Sequence, residues 1–102
     1  MPLDSQTRKQ LKAIGHALNP VVIVAGKGLS DSVLEEIRRA LHDHELIKVK
    51  VAVGDREAKQ AVIAEMCQRC ECELAQTIGH IALIYKANPN AKLGISNLRH
   101  LQ

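Results

Sequence analysis

Leu11, Ile14 and Leu18 recur at spacings of three and four, which predicts a helix over Ser5–Leu18 with Arg8, Lys9 and Lys12 off the apolar stripe. Asn19-Pro20 follows, and a proline restricts the residue before it to extended geometry, so the helix is expected to stop there. Val21 to Ala25 is a short, continuous, mostly β-branched run, the pattern of a strand buried on both faces. A Gly26-Lys27-Gly28 turn leads to Ser30 or Asp31 as the cap of a second helix, whose buried face is Val33, Leu34, Ile37 and Leu41. Leu46 to Val53 then alternates: Ile47, Val49, Val51 and Val53 point one way, Leu46, Lys48, Lys50 and Ala52 the other. Beyond Gly54, Asp55 is a candidate cap for a third helix, with Glu57 placed favourably in its first turn and its end near Cys70. Glu73–Ile78 and Ile81–Tyr85 read as two strands joined through Gly79-His80, a two-residue hairpin signal.

The order is therefore helix, strand, helix, strand, helix, strand, strand. Strands separated by helices imply parallel pairing, and the closing hairpin makes the four-stranded sheet mixed, which gives an α/β fold. Because the first strand and Ile81–Tyr85 look apolar on both faces, the first helix is expected to cover part of the second sheet face. With 102 residues the chain has room for one core, assigned to residues 1–86. Residues 87–102, with Pro89, Gly94 and several Asn, are expected to form an irregular, partly mobile tail.

Composition narrows the function. There is no Phe or Trp, and Tyr85 is the sole aromatic residue, so the core is aliphatic and bases cannot be stacked on sheet aromatics. Any grip on nucleic acid rests on phosphates, backbone amides and shape. The formal net charge is +3, mildly basic. No segment approaches a membrane span, and Met1–Leu11 does not resemble a signal peptide. Cys67, Cys70 and Cys72 are odd in number and crowded, which makes no disulfide framework and fits a reducing cytoplasm.

The strongest chemical candidate is Ala25-Gly26-Lys27-Gly28-Leu29-Ser30, between a strand and a helix N-terminus. Glycines allow close backbone approach, helix N-termini attract phosphate, and Lys27 adds a full charge. The turn is neither a Walker loop nor a Rossmann fingerprint. It is otherwise a plain strand-to-helix connection. Lys48 and Lys50 share a strand face that is either simply solvated or a second phosphate contact. Arg8, Lys9 and Lys12 are either ordinary surface charge or an extension of that contact. The three cysteines with His80 are formally a zinc set, but they cluster at a helix end without a second Cys-x-x-Cys; buried thiols as small hydrophobes are the plainer reading, and no metal or other cofactor is expected. A redox Cys-x-x-Cys ordinarily opens a helix, whereas this one ends it. No nucleophile elbow, HExxH or paired-carboxylate signature occurs, so no enzymatic activity and no small-molecule substrate are expected.

Several segments in one order resemble the YhbY-type CRM domain family: Asn19-Pro20-Val21-Val22-Ile23-Val24 with the glycine turn and Gly28-Leu29-Ser30; His44 through Val51; Asp55-Arg56-Glu57; and Ile78 through Tyr85. The likeness runs over roughly residues 5 to 86. It implies a fold like the C-terminal domain of translation initiation factor three and a basic RNA-binding surface centred on a Gly-x-x-Gly loop. Its implied partner is RNA, specifically ribosomal RNA in precursors of the large ribosomal subunit, and its implied role is in their assembly. The family's first loop glycine falls on Ala25. The residues expected to contact RNA are Gly26, Lys27, Gly28, Ser30, Lys48, Lys50, Arg8, Lys9 and Lys12. The rival readings are a small phosphate-ligand domain or enzyme using the same turn, and a protein-interaction module.

Overall fold

A computed structural model describes residues 5–26 and 28–88. Its elements follow in the order α1 (Ser5–Gly15), β1 (Pro20–Val24), α2 (Asp31–His44), β2 (Leu46–Val51), α3 (Arg56–Arg69), β3 (Glu73–Ile78) and β4 (Ile81–Tyr85). The strands form one mixed sheet in the order β1-β2-β4-β3. β1 runs parallel to β2, while β4 is antiparallel to both β2 and β3. The α/β architecture expected from the hydrophobic pattern is thus the one observed. Only the first helical crossover links adjacent parallel strands. The second, through α3, steps over the position that β4 fills.

Each helix start has a local cause. Ser30 Oγ accepts the Val33 N–H at 3.2 Å, so Ser30 rather than Asp31 is the cap of α2. Asp55 Oδ1 accepts the Ala58 N–H at 2.9 Å and starts α3. A single residue, Glu45, turns α2 into β2 with φ +63, and its carbonyl accepts the Lys86 N–H at 2.9 Å.

Two apolar clusters flank the sheet. On one face, Val22, Val24, Ile47, Val49, Val51, Ala82 and Ile84 pack under Leu34, Ile37 and Leu41 of α2 and Ile63 and Met66 of α3. On the other, Leu11 of α1 packs with Leu46, Ala75 and Leu83, joined at the margin by Ile14, Leu18 and Tyr85. Burying a side chain such as Leu11 contributes about 1.5–3 kcal/mol. Gly15 lets the end of α1 press against the sheet, since a Cβ there would lie 2.6 Å from a Leu83 methyl.

Three expectations need correction. β1 is not buried on both faces: Val21 is 54% and Ile23 60% exposed, because β1 is a sheet edge and α1 covers the face only over β2, β3 and β4. The first helix ends at Gly15 and not at Leu18; the Leu18 N–H still reaches the Gly15 carbonyl at 2.9 Å, so a tighter turn carries Leu18 to the cluster. β2 ends at Val51 and not at Val53, since beyond Ala52, whose N–H reaches the Val24 carbonyl at 2.8 Å, β1 has turned away into the glycine segment. The expected tail falls outside the described residues from Pro89 on; of its start, Asn88 Nδ2 donates to the His42 carbonyl at 2.7 Å.

Candidate nucleic-acid interface

Parallel pairing fixes where the glycine turn lies. Val24 pairs with Val51, so the turn after β1 sits at the carboxyl end of β2. The Val51 N–H donates to the His80 carbonyl at 2.6 Å, which brings the β3–β4 hairpin to the same end. α2 and α3 both start there, so two helix N-termini, each a partial positive charge, share one rim of the molecule.

The turn itself closes through the Gly28 N–H to the Ala25 carbonyl at 2.7 Å. Gly28 takes φ +69, a region that an L side chain enters at a penalty of about 1–2 kcal/mol. Ala25 is outside that region, so its side chain is unstrained there. A Cβ on Gly26 or Gly28 would meet no other atom within 4 Å, which leaves the backbone open to a ligand. Lys27 lies outside the described residues. Ser30 commits a lone pair to capping α2, and its Oγ lies 3.2 Å from Ser32 Oγ. Asp31, exposed in the first turn of α2, already answers part of the dipole with its own charge.

Lys48 and Lys50 share the sheet face that α1 only partly covers, one strand in from β1: Lys50 pairs with Ile23 on one side and Ile81 on the other. Lys50 is exposed, and Lys48 half-buried. Lys48 also borders a shallow cavity of about 120 Å³ with Gln76, Ile78, Ile81 and Leu83. Val21, Ile23 and Ile78, the exposed large apolar side chains among the described residues, complete this frame. Sequence reasoning pairs the two lysines but misses the frame, because exposure of an edge-strand Val or Ile leaves no mark in a β-branched run.

Ser5, Arg8, Lys9 and Lys12 form one stripe on α1 and line a shallow surface depression. Arg8 is partly tied down, since its Nη1 donates to the Leu74 carbonyl of β3 at 3.2 Å. This stripe lies toward the far end of the sheet, where α1 packs on Leu46. The structure therefore puts Gly26, Gly28 and Ser30 on the rim, Lys50 beside them, Lys48 next along β2, and the α1 stripe at the other end. At about 3.3 Å per residue the whole path is roughly 20 Å long.

The zinc set considered from sequence is not assembled. His80 lies at the far end of β3 from Cys72, about 20 Å away at the rise of an extended strand. Among the described residues no three metal-ligating side chains converge. No described helix is long and apolar enough to cross a membrane.

Comparison with known proteins gives a consistent result. A family model described as the CRS1 / YhbY (CRM) domain matches residues 3–86. The chain is 47% identical over 98 residues to a Pseudomonas aeruginosa protein named "Probable RNA-binding protein PA4753", covering 96% of this chain and 94% of that one. It is 46% identical over 91 residues to a Haemophilus influenzae protein named "RNA-binding protein", covering 89% and 92% respectively. The solution structure of a Staphylococcus aureus hypothetical protein superposes with a TM-score of 0.77 at 24% identity, over 88% of this chain and 94% of the other, a likeness of fold.

Proposed function

Since the chain belongs to the CRS1/YhbY (CRM) domain family, we propose that it is a non-catalytic RNA-binding protein that grips the RNA backbone, and that its RNA is ribosomal RNA in precursors of the large subunit. Relatives named as RNA-binding proteins support the first part. Family resemblance alone supports the second. The observation that carries the reading is the neighbourhood of an open glycine turn at a helix N-terminus and an exposed lysine, Lys50, one strand pairing away. Backbone amides at such a terminus accept an anion without sequence preference, and each lysine adds a screened but long-range attraction.

The binding unit is residues 1–86. Gly26, Lys27, Gly28 and Ser30 take one phosphate at the rim. Lys48 and Lys50 take the next along the strand, the half-buried Lys48 from within an aliphatic frame and Lys50 from the open surface. Arg8, Lys9 and Lys12 extend the track over α1. With one aromatic residue, which lies at the α1 cluster, the surface reads shape and phosphate rather than base identity. It works in the cytoplasm, where these precursors are built.

Sedimentation of a cell extract at low and high salt tests the reading. The protein is expected to run with large-subunit precursors at low salt and to leave them at high salt. A companion titration should show binding to structured RNA and none to mononucleotides. Recovery only in the top fractions at every salt during active growth refutes the partner; tight binding of a mononucleotide favours a small-ligand domain instead.

A further inference from the structure

We propose that Cys67 and Cys72 are a reversible dithiol–disulfide pair, closed by hydroperoxides across the C-terminal turn of α3. The motif that ends the helix brings the two together. The Cys72 N–H donates to the Cys67 carbonyl at 2.9 Å and the Glu71 N–H to the Gln68 carbonyl at 3.4 Å, with Glu71 at φ +54. This paired closure brings the first and last side chains of the turn face to face, a contact usually apolar. Here both are thiols, and both line one groove between α3 and β3. Cys70, 1% exposed, does not line the groove that Cys67 and Cys72 share and does not take part.

The two sulfurs differ in access and in chemistry. Cys67 is half-buried on the wall of an open groove of about 500 Å³ between α3 and β3, bordered also by Glu73, Leu74 and Thr77. Cys72 lines the same groove but is more deeply buried, 7% exposed. The hydrogen bond from Cys72 holds Cys67 below the ordinary thiol value, against burial and the Glu73 charge. The same bond and burial push Cys72 far up. Cys67 is therefore the attacking sulfur and Cys72 the resolving one.

In the first step the Cys67 sulfur attacks the terminal oxygen of a hydroperoxide. The O–O bond breaks, an alcohol or water leaves with the thiol proton, and Cys67 becomes a sulfenic acid. In the second, the Cys72 sulfur attacks the sulfenic sulfur, the S–O bond breaks, and water leaves with the Cys72 proton. The two thiols supply the two electrons that reduce the peroxide. The link protects Cys67 from irreversible oxidation to the sulfinic acid.

Reduced full-length protein is treated with hydrogen peroxide, and free thiols are counted before and after. The count should fall from three to one, the intact mass by two hydrogens, and both should return with dithiothreitol. Trypsin cuts after Arg69, so the link should appear as two joined peptides, and it should persist in Cys70→Ser. Cys72→Ala should leave a Cys67 sulfenic acid trapped by dimedone and should slow alkylation of Cys67 by iodoacetamide; because Cys72 is buried, a melting curve accompanies it. A link lost in Cys70→Ser, a link between chains, or direct passage of wild-type Cys67 to the sulfinic acid overturns the proposal.

Discussion

Replacing Gly26 by alanine separates the fold from the proposed phosphate contact, because the two effects have opposite signs. Gly26 lies outside the left-handed region, and an added Cβ would touch nothing within 4 Å. Removing a glycine where its freedom is not needed stabilises by about 0.4–1 kcal/mol through the unfolded chain. For a domain of this size that raises Tm by roughly 2–8 °C. The same methyl stands where a phosphate must approach the backbone. Losing one hydrogen bond to a charged group weakens binding by about 1.5–3 kcal/mol, a factor of roughly 10 to 150 in Kd. Gly28 is the poorer probe, since at φ +69 any side chain is strained and a loss of binding would be confounded with unfolding. The assay pairs thermal melting with fluorescence anisotropy of a labelled structured RNA at fixed salt. If the Gly26→Ala protein melts at or above the parent temperature and binds RNA with the parent Kd, the turn is a connection only, and the interface lies elsewhere.

Three further outcomes are expected. Lys48→Ala with Lys50→Ala should reduce the slope of log affinity against log salt by roughly 0.7–0.9, the value for the one phosphate they share; an unchanged slope takes the strand face out of the interface. Asp31→Asn should tighten RNA binding by removing an anion beside the rim, while weakening α2 by about 0.3–1 kcal/mol in melting experiments; looser binding by the folded variant would contradict phosphate binding at this end. Glu71→Gly should stabilise the domain: relief of a left-handed L residue, about 1–2 kcal/mol, exceeds the glycine entropy of about 0.5–1 kcal/mol, and the exposed 3.8 Å ion pair with Lys86 contributes little. The expected gain in Tm is a few degrees by calorimetry, and a lower Tm refutes the strain argument.

The elements legible in the sequence are those whose burial is one-sided. α2 carries Leu34, Ile37 and Leu41 on one stripe, and β2 alternates Ile47, Val49 and Val51 with Lys48 and Lys50, so period alone identifies each. α3 is marked by its Asp55 cap, since small and apolar residues lie all round it and only Ile63 and Met66 are buried within its span. β1 misleads because a run of Val and Ile reads alike in the centre of a sheet and at its edge; which it is depends on β2 and β4 pairing elsewhere. The lysine pair on one strand face is legible from alternation. Its closeness to the glycine turn is not, because that follows from parallel register. The thiol pair is hidden too: Glu71 sits where helix ends usually place glycine, so nothing in the sequence marks the turn that brings residues 67 and 72 together.

The division of the interior into two clusters has an optical consequence. Tyr85 is the chain's sole near-ultraviolet chromophore of any strength, and it packs at the smaller cluster, against the side that α1 covers. Its emission therefore watches one helix rather than the whole molecule. Far-ultraviolet dichroism, by contrast, is dominated by α2 and α3 on the opposite face. If α1 peels away below the main transition, as a unit held by few buried side chains can, tyrosine emission will change first and the dichroism later. A single denaturation curve followed at both wavelengths would then show two midpoints, and the interval between them would report how firmly the first helix is held to its sheet.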